Sequence, residues 1–344
     1  MLHVINHSEL PLNWNWLAAA VPDPRLAWRH ASLQAWPGLQ RLPGGALAAR
    51  LGAAAHAVTL ARRDPGLLVS HGPRPAFFAS LLGAGRRPTR PHLAFSFNFT
   101  ELPPARKIAA LARAYRRVDR FTVFSTLERE LYARVFDLDP ARVDMLHWAV
   151  RPHRRDSLAR PVPDGPYLCA VGSQGRDYRV LLAAMARLPQ VRLHLVALPE
   201  NLAGLAVPDN VTVHQRVPFD FAAALVAHAD AMILPLAGAQ VPCGHVTAVM
   251  AMHLGVPVLA TDSAGLHDYL RQSDTATLFQ PDSAGAVAEA VTAFLDDPAP
   301  ARAWAGRAQA FAGEHCVEAR TVDYFRRYVG ERFGFTPATG TGHG

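Results

Sequence analysis

Short apolar runs alternate with helix-length amphipathic stretches along most of this chain, the pattern of parallel α/β units. In the first half, "LHVIN", "GLLVSH", "HLAFSFNF", "RFTVFS" and "RVDMLHW" read as strands. Helical spacing separates them at Ala46 to Arg62, Pro75 to Leu82, Pro104 to Arg117 and Thr126 to Val135. The segment "RPHRRDSLARPVPDG" has no apolar period and reads as a linker. A second series then runs through "PYLCAVG", a helix at Tyr178 to Arg187, "VRLHLVAL", "NVTVHQ", a helix at Phe221 to Ala229, and "AMILPL". After it come "CGHVTAVMAMHLGVPVLATD", "ATLFQP", a helix at Ala284 to Leu295 and one helical region from Ala301 to Arg332. Two similar α/β halves are expected: residues 1–150, a linker at 151–165, and residues 166–315. A helix at 316–335 and a disordered tail at 336–344 complete the chain.

The length of 344 residues is comfortable for two cores. Half the residues are hydrophobic and 18% are charged, which suits a packed protein. The net charge is +7, yet Lys107 is the sole lysine. Such arginine enrichment fits coding bias, or a surface that meets phosphates or anionic lipid. Cys169, Cys243 and Cys316 form no CxxC pair, which argues for free thiols in a reducing compartment. The N-terminus lacks the basic-then-apolar order of a signal peptide, and no apolar run is long enough to span a bilayer. A cytoplasmic protein is expected, with no role in nucleic-acid binding.

Several chemistries lack their anchors. Lys107 is followed by Ile108, so there is no P-loop, and no GxGxxG follows a strand. HExxH and GxSxG are missing as well. "DLD" at Asp137 to Asp139 precedes Pro140 and reads as turn and cap residues rather than a metal site.

The run from Cys243 to Asp262 has no acid or base between its opening Gly-His pair, His253 and its final residue. A helix starting near His245 points the N–H groups of Gly244, His245, Val246 and Thr247 out of its N-terminus, where the dipole is positive. That end suits a phosphate, although a buried helix preceded by glycine is equally an ordinary α/β element. Within "AVMAMHLGVPVLATDSAGLHDYL", Ala251, Met252, Gly255, Pro257, Val258, Ala260 and Thr261 fall in a recognisable frame. The stretch resembles the donor-binding segment of the GT-B glycosyltransferases of group 1, or family 4. "AVGSQGRDYRVLLAAM", "HADAMILPL" and "TLFQPDSAGAVAEAVTAFLDDP" resemble other parts of the same donor domain, so the likeness covers most of Pro166 to Pro298.

The resemblance implies an α/β GT-B architecture, two Rossmann-like domains facing across a cleft. It implies transfer of a hexosyl unit from a nucleotide-diphosphate sugar to a hydroxyl of a glycan or lipid-linked acceptor, with no metal and no cofactor. Arg176 matches the family's basic position after Gly172 and is expected to hold the diphosphate with Gly172, Gly244, His245, Val246 and Thr247. His71 and Asn98 fall at the family's two histidine-ended strands and, with Arg176, are the catalytic candidates. Departures accompany the likeness. The family's paired glutamates would fall at Pro242 and Met250, Asn98 replaces a catalytic histidine, and "NHSELPLNWNW" replaces a glycine-rich loop. These losses support one rival, a degenerate, non-catalytic nucleotide- or glycan-binding protein; a second, a sugar-nucleotide 2-epimerase, shares the architecture but needs acid/base carboxylates in the cleft, of which this chain is short.

"PARKIAALARAYRRVDRF" sets Ile108, Leu111, Ala112, Tyr115 and Val118 on one helical face among many cations. The pattern suits a solvated amphipathic helix packed on a core, and equally a contact of residues 104–121 with anionic membrane on the inner face.

Overall fold

The computed structural model describes residues 1–9, 16–35, 37–62, 65–83 and 91–339. The chain divides into two compact units: Met1–Leu146 with Ala319–Gly344, and His147–Glu318. Unit 1 runs β1 (Leu2–Ser8), α1 (Trp16–Ala20), β2 (Leu26–Ser32), α2 (Pro37–Gln40), α3 (Gly45–Leu60), β3 (Gly66–His71), α4 (Pro73–Leu82) and β4 (His92–Phe95). It continues with α5 (Ala105–Tyr115), β5 (Arg120–Val123), α6 (Thr126–Val135) and β6 (Val143–Met145). Unit 2 contains β7 (Leu168–Val171), α7 (Tyr178–Met185), β8 (Leu193–Val196), β9 (Val211–His214), α8 (Phe219–Ala227) and β10 (Ala231–Leu234). Then follow α9 (His245–His253), β11 (Val258–Thr261), β12 (Thr277–Phe279), α10 (Ala284–Asp296) and α11 (Ala299–His315). The last helix, α12 (Glu318–Phe333), belongs to unit 1 from Ala319 onward.

Among the described residues each unit carries one six-stranded sheet, in the orders β2-β1-β3-β4-β5-β6 and β12-β11-β10-β7-β8-β9. Every pairing is parallel. Central strands are covered on both faces, so β4, β7, β10 and β11 are buried at all four positions; β7 and β10 read as unbroken apolar runs, while β4 opens on His92 and β11 closes on Thr261. β2 shows why sequence alone missed it. It lies at the sheet edge, where Arg29 and His30 interrupt the apolar run, yet it pairs with β1 from Leu26 to Ser32.

The helical region expected from Ala301 to Arg332 is two helices. Cys316 closes α11, and Val317 forms a bridge with Val150 before α12 begins. The apolar face of α12 then completes the unit 1 core: Val322, Phe325 and Val329 pack with Leu2, Val4, Leu67, Val69 and Leu93. Burying side chains of this size contributes about 1.5–3 kcal/mol each. Three residues assigned by sequence to a disordered tail are instead tied down. Arg25 donates to the Thr336 carbonyl, Arg326 donates to the Pro337 carbonyl, and the Ala338 N–H donates to Asp23. Residues 340–344 lie outside the described residues.

Strand order reverses between β1 and β3 in unit 1, and between β7 and β10 in unit 2. Neighbouring loops diverge at such points and leave a crevice beyond the carboxyl ends of the strands, where open α/β sheets bind ligands. The functional candidates gather at these two places.

Candidate functional site

In unit 2 the loop after β7 is stitched to the loop after β10. The Asp177 N–H donates to the Pro235 carbonyl, the Ala237 N–H donates to the Gly175 carbonyl, and Arg176 forms an antiparallel bridge with Leu236. This places the Arg176 side chain at the start of α9. Its Nη2 donates to Thr247 Oγ1 at 2.7 Å, and its Nη1 donates to the Gln174 carbonyl at 2.8 Å. Nε is buried with no partner. No carboxylate pairs with this guanidinium among the described residues. Burial lowers its pKa from the usual arginine value, partly offset by Tyr178 and Cys243.

Gly172 is part of the same arrangement. Its φ of 129° lies where side-chain-bearing residues are rarely found, and a Cβ there would sit 2.6 Å from Arg176 Nη2. The glycine therefore makes room for the guanidinium lying against it.

α9 begins at Gly244, with φ 98° and no side-chain cap. Thr247 Oγ1 donates to the Gly244 carbonyl at 3.1 Å and Val246 is 40% exposed, whereas His245 is buried. Two expectations are corrected here. A Cβ on Gly244 would meet Leu266, Leu236 and Leu234 at 3.3–3.5 Å, so it would enter the apolar core and not a phosphate site. His245 is a core residue: its Nε2 lies 2.9 Å from the Gly265 carbonyl, and its ring packs on Tyr269. Burial pushes its pKa down to about 4, against a rise from the Gly265 contact, so it is neutral at pH 7. The reason is spacing. The residue after a left-handed N-cap turns inward here: His245 and Thr247 are buried, and Val246 between them is exposed.

In unit 1 the crevice at β1 and β3 collects histidines. His71 Nε2 donates to Asn6 Oδ1 in a very short hydrogen bond, and Asn6 Nδ2 donates to His30 Nδ1 at 3.1 Å. The tautomer that satisfies both contacts makes Nδ1 the basic nitrogen of His71. Behind this, Ser70 Oγ joins His92 Nε2 at 2.9 Å and His7 Nδ1 at 3.4 Å. Burial, with repulsion from His7 and His30, lowers the His71 pKa to about 3. Asn6 and His30 were not singled out by sequence, because nothing local marks a strand residue whose partner sits on a neighbouring strand.

Asn98 follows β4 but is engaged elsewhere: its Nδ2 donates to Glu128 Oε1 in a short hydrogen bond. Glu128 is fully buried and also accepts from the Phe124 N–H at 2.9 Å and from Tyr132 Oη at 3.2 Å. Burial raises its pKa to about 7, opposed by hydrogen bonds from Asn98, Phe124, Ser125 and Tyr132. Glu128 was missed by sequence, although Ser125 and Glu128 stand at capping-box spacing and Ser125 does cap α6. "DLD" serves turn chemistry: Asp137 pairs with Arg116, and Asp139 accepts from the Ala141 N–H. Among the described residues no group of three His, Cys, Asp or Glu could hold a metal ion. The segment Leu10 to Asn15, where the family has its glycine-rich loop, lies outside the described residues.

Residues 165–297 match the family model of Glycosyl transferases group 1. That stretch holds Gly172, Arg176 and all of α9. Over that stretch the chain is similar to the group 1 glycosyl transferases. A D-inositol 3-phosphate glycosyltransferase of Mycobacterium avium is 28% identical over 264 residues, covering 67% of this chain and 61% of the relative. Its counterpart from Mycobacterium tuberculosis F11 is 28% identical over 259 residues, 67% of this chain and 52% of the relative. The chain thus spans less than two thirds of the length of these curated relatives. Among solved structures, sucrose-phosphate synthase from Thermosynechococcus elongatus aligns with TM-score 0.72 at 19% identity, over 97% of this chain and 99% of that one. The Anabaena protein HepE, in complex with UDP-glucose, aligns with TM-score 0.70 at 16% identity, over 97% and 99%. These likenesses establish the GT-B fold for this chain.

Proposed function

We propose that the protein transfers a hexosyl unit from a nucleotide-diphosphate sugar to a hydroxyl group of a glycan or glycolipid, without a metal ion. One observation carries the reading: Arg176, which has no carboxylate partner among the described residues, is held beside the uncapped N-terminus of α9. A buried guanidinium without a counter-anion is unfavourable unless an anion arrives, and a helix N-terminus favours the same charge. Glycosyl transfer breaks the bond from the anomeric carbon to the diphosphate oxygen, so negative charge grows on the leaving group. Donors already fixed in place stabilise that charge without reorganisation. The UDP-glucose held by HepE supports the donor class, and the D-inositol 3-phosphate in the name of the Mycobacterium avium relative supports transfer to a hydroxyl group.

On the acceptor side, we assign the orientation of the hydroxyl to His71. The Asn6 contact fixes its tautomer, and burial keeps the ring neutral at pH 7, so it acts as a hydrogen-bond acceptor and not as a base that holds the proton. Asn98 does not replace the family's histidine in this role, because its amide is committed to Glu128. That commitment favours the second reading, a binding protein without turnover. Incubation with labelled UDP- and GDP-sugars, with and without sugar acceptors, separates the two. Transfer supports the enzyme; binding without transfer or hydrolysis supports the alternative.

A peripheral contact with anionic lipid is part of the proposal. Arg106, Lys107, Arg113 and Arg117 are exposed on and just after α5, and Leu102 beside them is 42% exposed. No helix of the described residues is long and apolar enough to cross a membrane. Sedimentation with anionic vesicles that fails even at low salt would remove this part.

A further inference from the structure

A second polar pocket lies within unit 1, away from the histidines. It has a volume of about 390 Å³ and sits between the edge strand β6, the α6 residue Arg129 and the face of α12. Three arginines line it, Arg120, Arg129 and Arg327, against two acids, Asp144 and Glu331. Asp144 is already saturated: Arg120 Nη1 donates to both its oxygens at 3.2–3.3 Å, and Tyr324 Oη donates to Oδ2 at 2.7 Å. Glu331 also interacts with Arg120. Among the described residues Arg129 and Arg327 pair with no carboxylate, and Arg327 only stacks over the Tyr324 ring at 5.7 Å.

The deciding feature is Tyr328. It lines the pocket, is 6% exposed, and its hydroxyl is buried without a hydrogen-bond partner. A buried phenol normally finds a partner, because leaving it unmade forfeits the hydration it had in the unfolded chain. Arg129 and Arg327, exposed side chains lining the same pocket, supply fork-shaped donors suited to a phosphate.

We propose that this pocket binds a phosphate ester, free or as a lipid headgroup, with Arg129, Arg327 and the Tyr328 hydroxyl as its donors. The volume exceeds what a bare phosphate fills and leaves space for a small polyol attached to it. Arg120 is not counted among the donors, since its guanidinium is already paired with Asp144.

The test uses the full chain and three proteins: wild type, Tyr328→Phe, and the double variant Arg129→Gln with Arg327→Gln. Calorimetry with glycerol 3-phosphate and with inorganic phosphate is compared with flotation on vesicles of phosphatidic acid or phosphatidylcholine. Any phosphate held at Arg176 persists in all three proteins, so the difference between them isolates this pocket. Wild type is expected to bind the ester about ten-fold more tightly than Tyr328→Phe, and the double variant is expected to lose the component. Without phosphate, Tyr328→Phe should melt no lower than wild type, because only an unpaired hydroxyl is removed. Binding of glycerol 3-phosphate identifies a free ester. Flotation on phosphatidic acid alone, lost in the variants, identifies a headgroup. Equal behaviour of all three proteins with every probe overturns the proposal.

Discussion

Replacing Gly172 with alanine tests the donor site through a residue that makes no side-chain contact of its own. The new Cβ would lie 2.6 Å from Arg176 Nη2 and 3.0 Å from both Cζ and Nε, closer than real Cβ atoms approach. The guanidinium must swing away, giving up its 2.7 Å bond to Thr247 and its place at the start of α9. Alanine at a φ of 129° adds backbone strain of about 1–3 kcal/mol, seen as a lower melting temperature. The displaced charge costs diphosphate binding about 1.5–3 kcal/mol, or roughly ten- to a hundred-fold in Kd. Arg176→Ala should weaken UDP or GDP by a similar factor. The double variant is the informative measurement. With Arg176 already gone, Gly172→Ala should lower stability as before and leave nucleotide affinity nearly unchanged. Calorimetry showing a second, additive loss of affinity would mean that Gly172 contacts the phosphate directly. No effect of Arg176→Ala on any nucleotide diphosphate would sink the site itself.

Three further outcomes are expected. His245→Ala should lower stability by about 1–3 kcal/mol, because it empties a core position and orphans the Gly265 carbonyl; a large loss of UDP affinity with an unchanged melting temperature would return the imidazole to the donor site. Activity with a nucleotide sugar should survive EDTA, whereas loss restored by manganese or magnesium would refute metal-independent transfer. Glu128 holds its proton up to about pH 7 in the folded chain, above the usual carboxyl value of 4.5. Its contribution to stability is therefore greatest at low pH and declines as pH rises from about 4.5 through 7. Relative to wild type, Glu128→Gln should gain about 3 kcal/mol between pH 4 and pH 8; a difference that stays flat in urea melts across that range would show the carboxyl to be unperturbed.

Much of the fold was legible because buried parallel strands are nearly pure apolar runs. "GLLVSH" coincides with β3 from Gly66 to His71, and Thr126 to Val135 coincides with α6. Edge strand β2 was not legible, since one partnered edge leaves Arg29 and His30 free to be polar. The end of α11 was hidden too, because "EHCVEA" carries no glycine or proline and the break is made by the Val317 bridge to Val150.

For the site, local sequence determined which residues were worth weighing: Arg176 after a strand ending in glycine, and a helix opening at Gly-His. Those are statements about chain neighbours, which spacing and dipoles settle. Tertiary structure decided which way each side chain faces. Gly172 yields space to Arg176, four residues on, and Gly244 turns its missing Cβ toward Leu234, Leu236 and Leu266. His245 docks on Gly265, twenty residues away in sequence, and Asn98 is claimed by Glu128 from another element. A polar side chain joins a crevice or a core according to the partner that satisfies it, and that partner is supplied only when distant strands and helices are brought side by side.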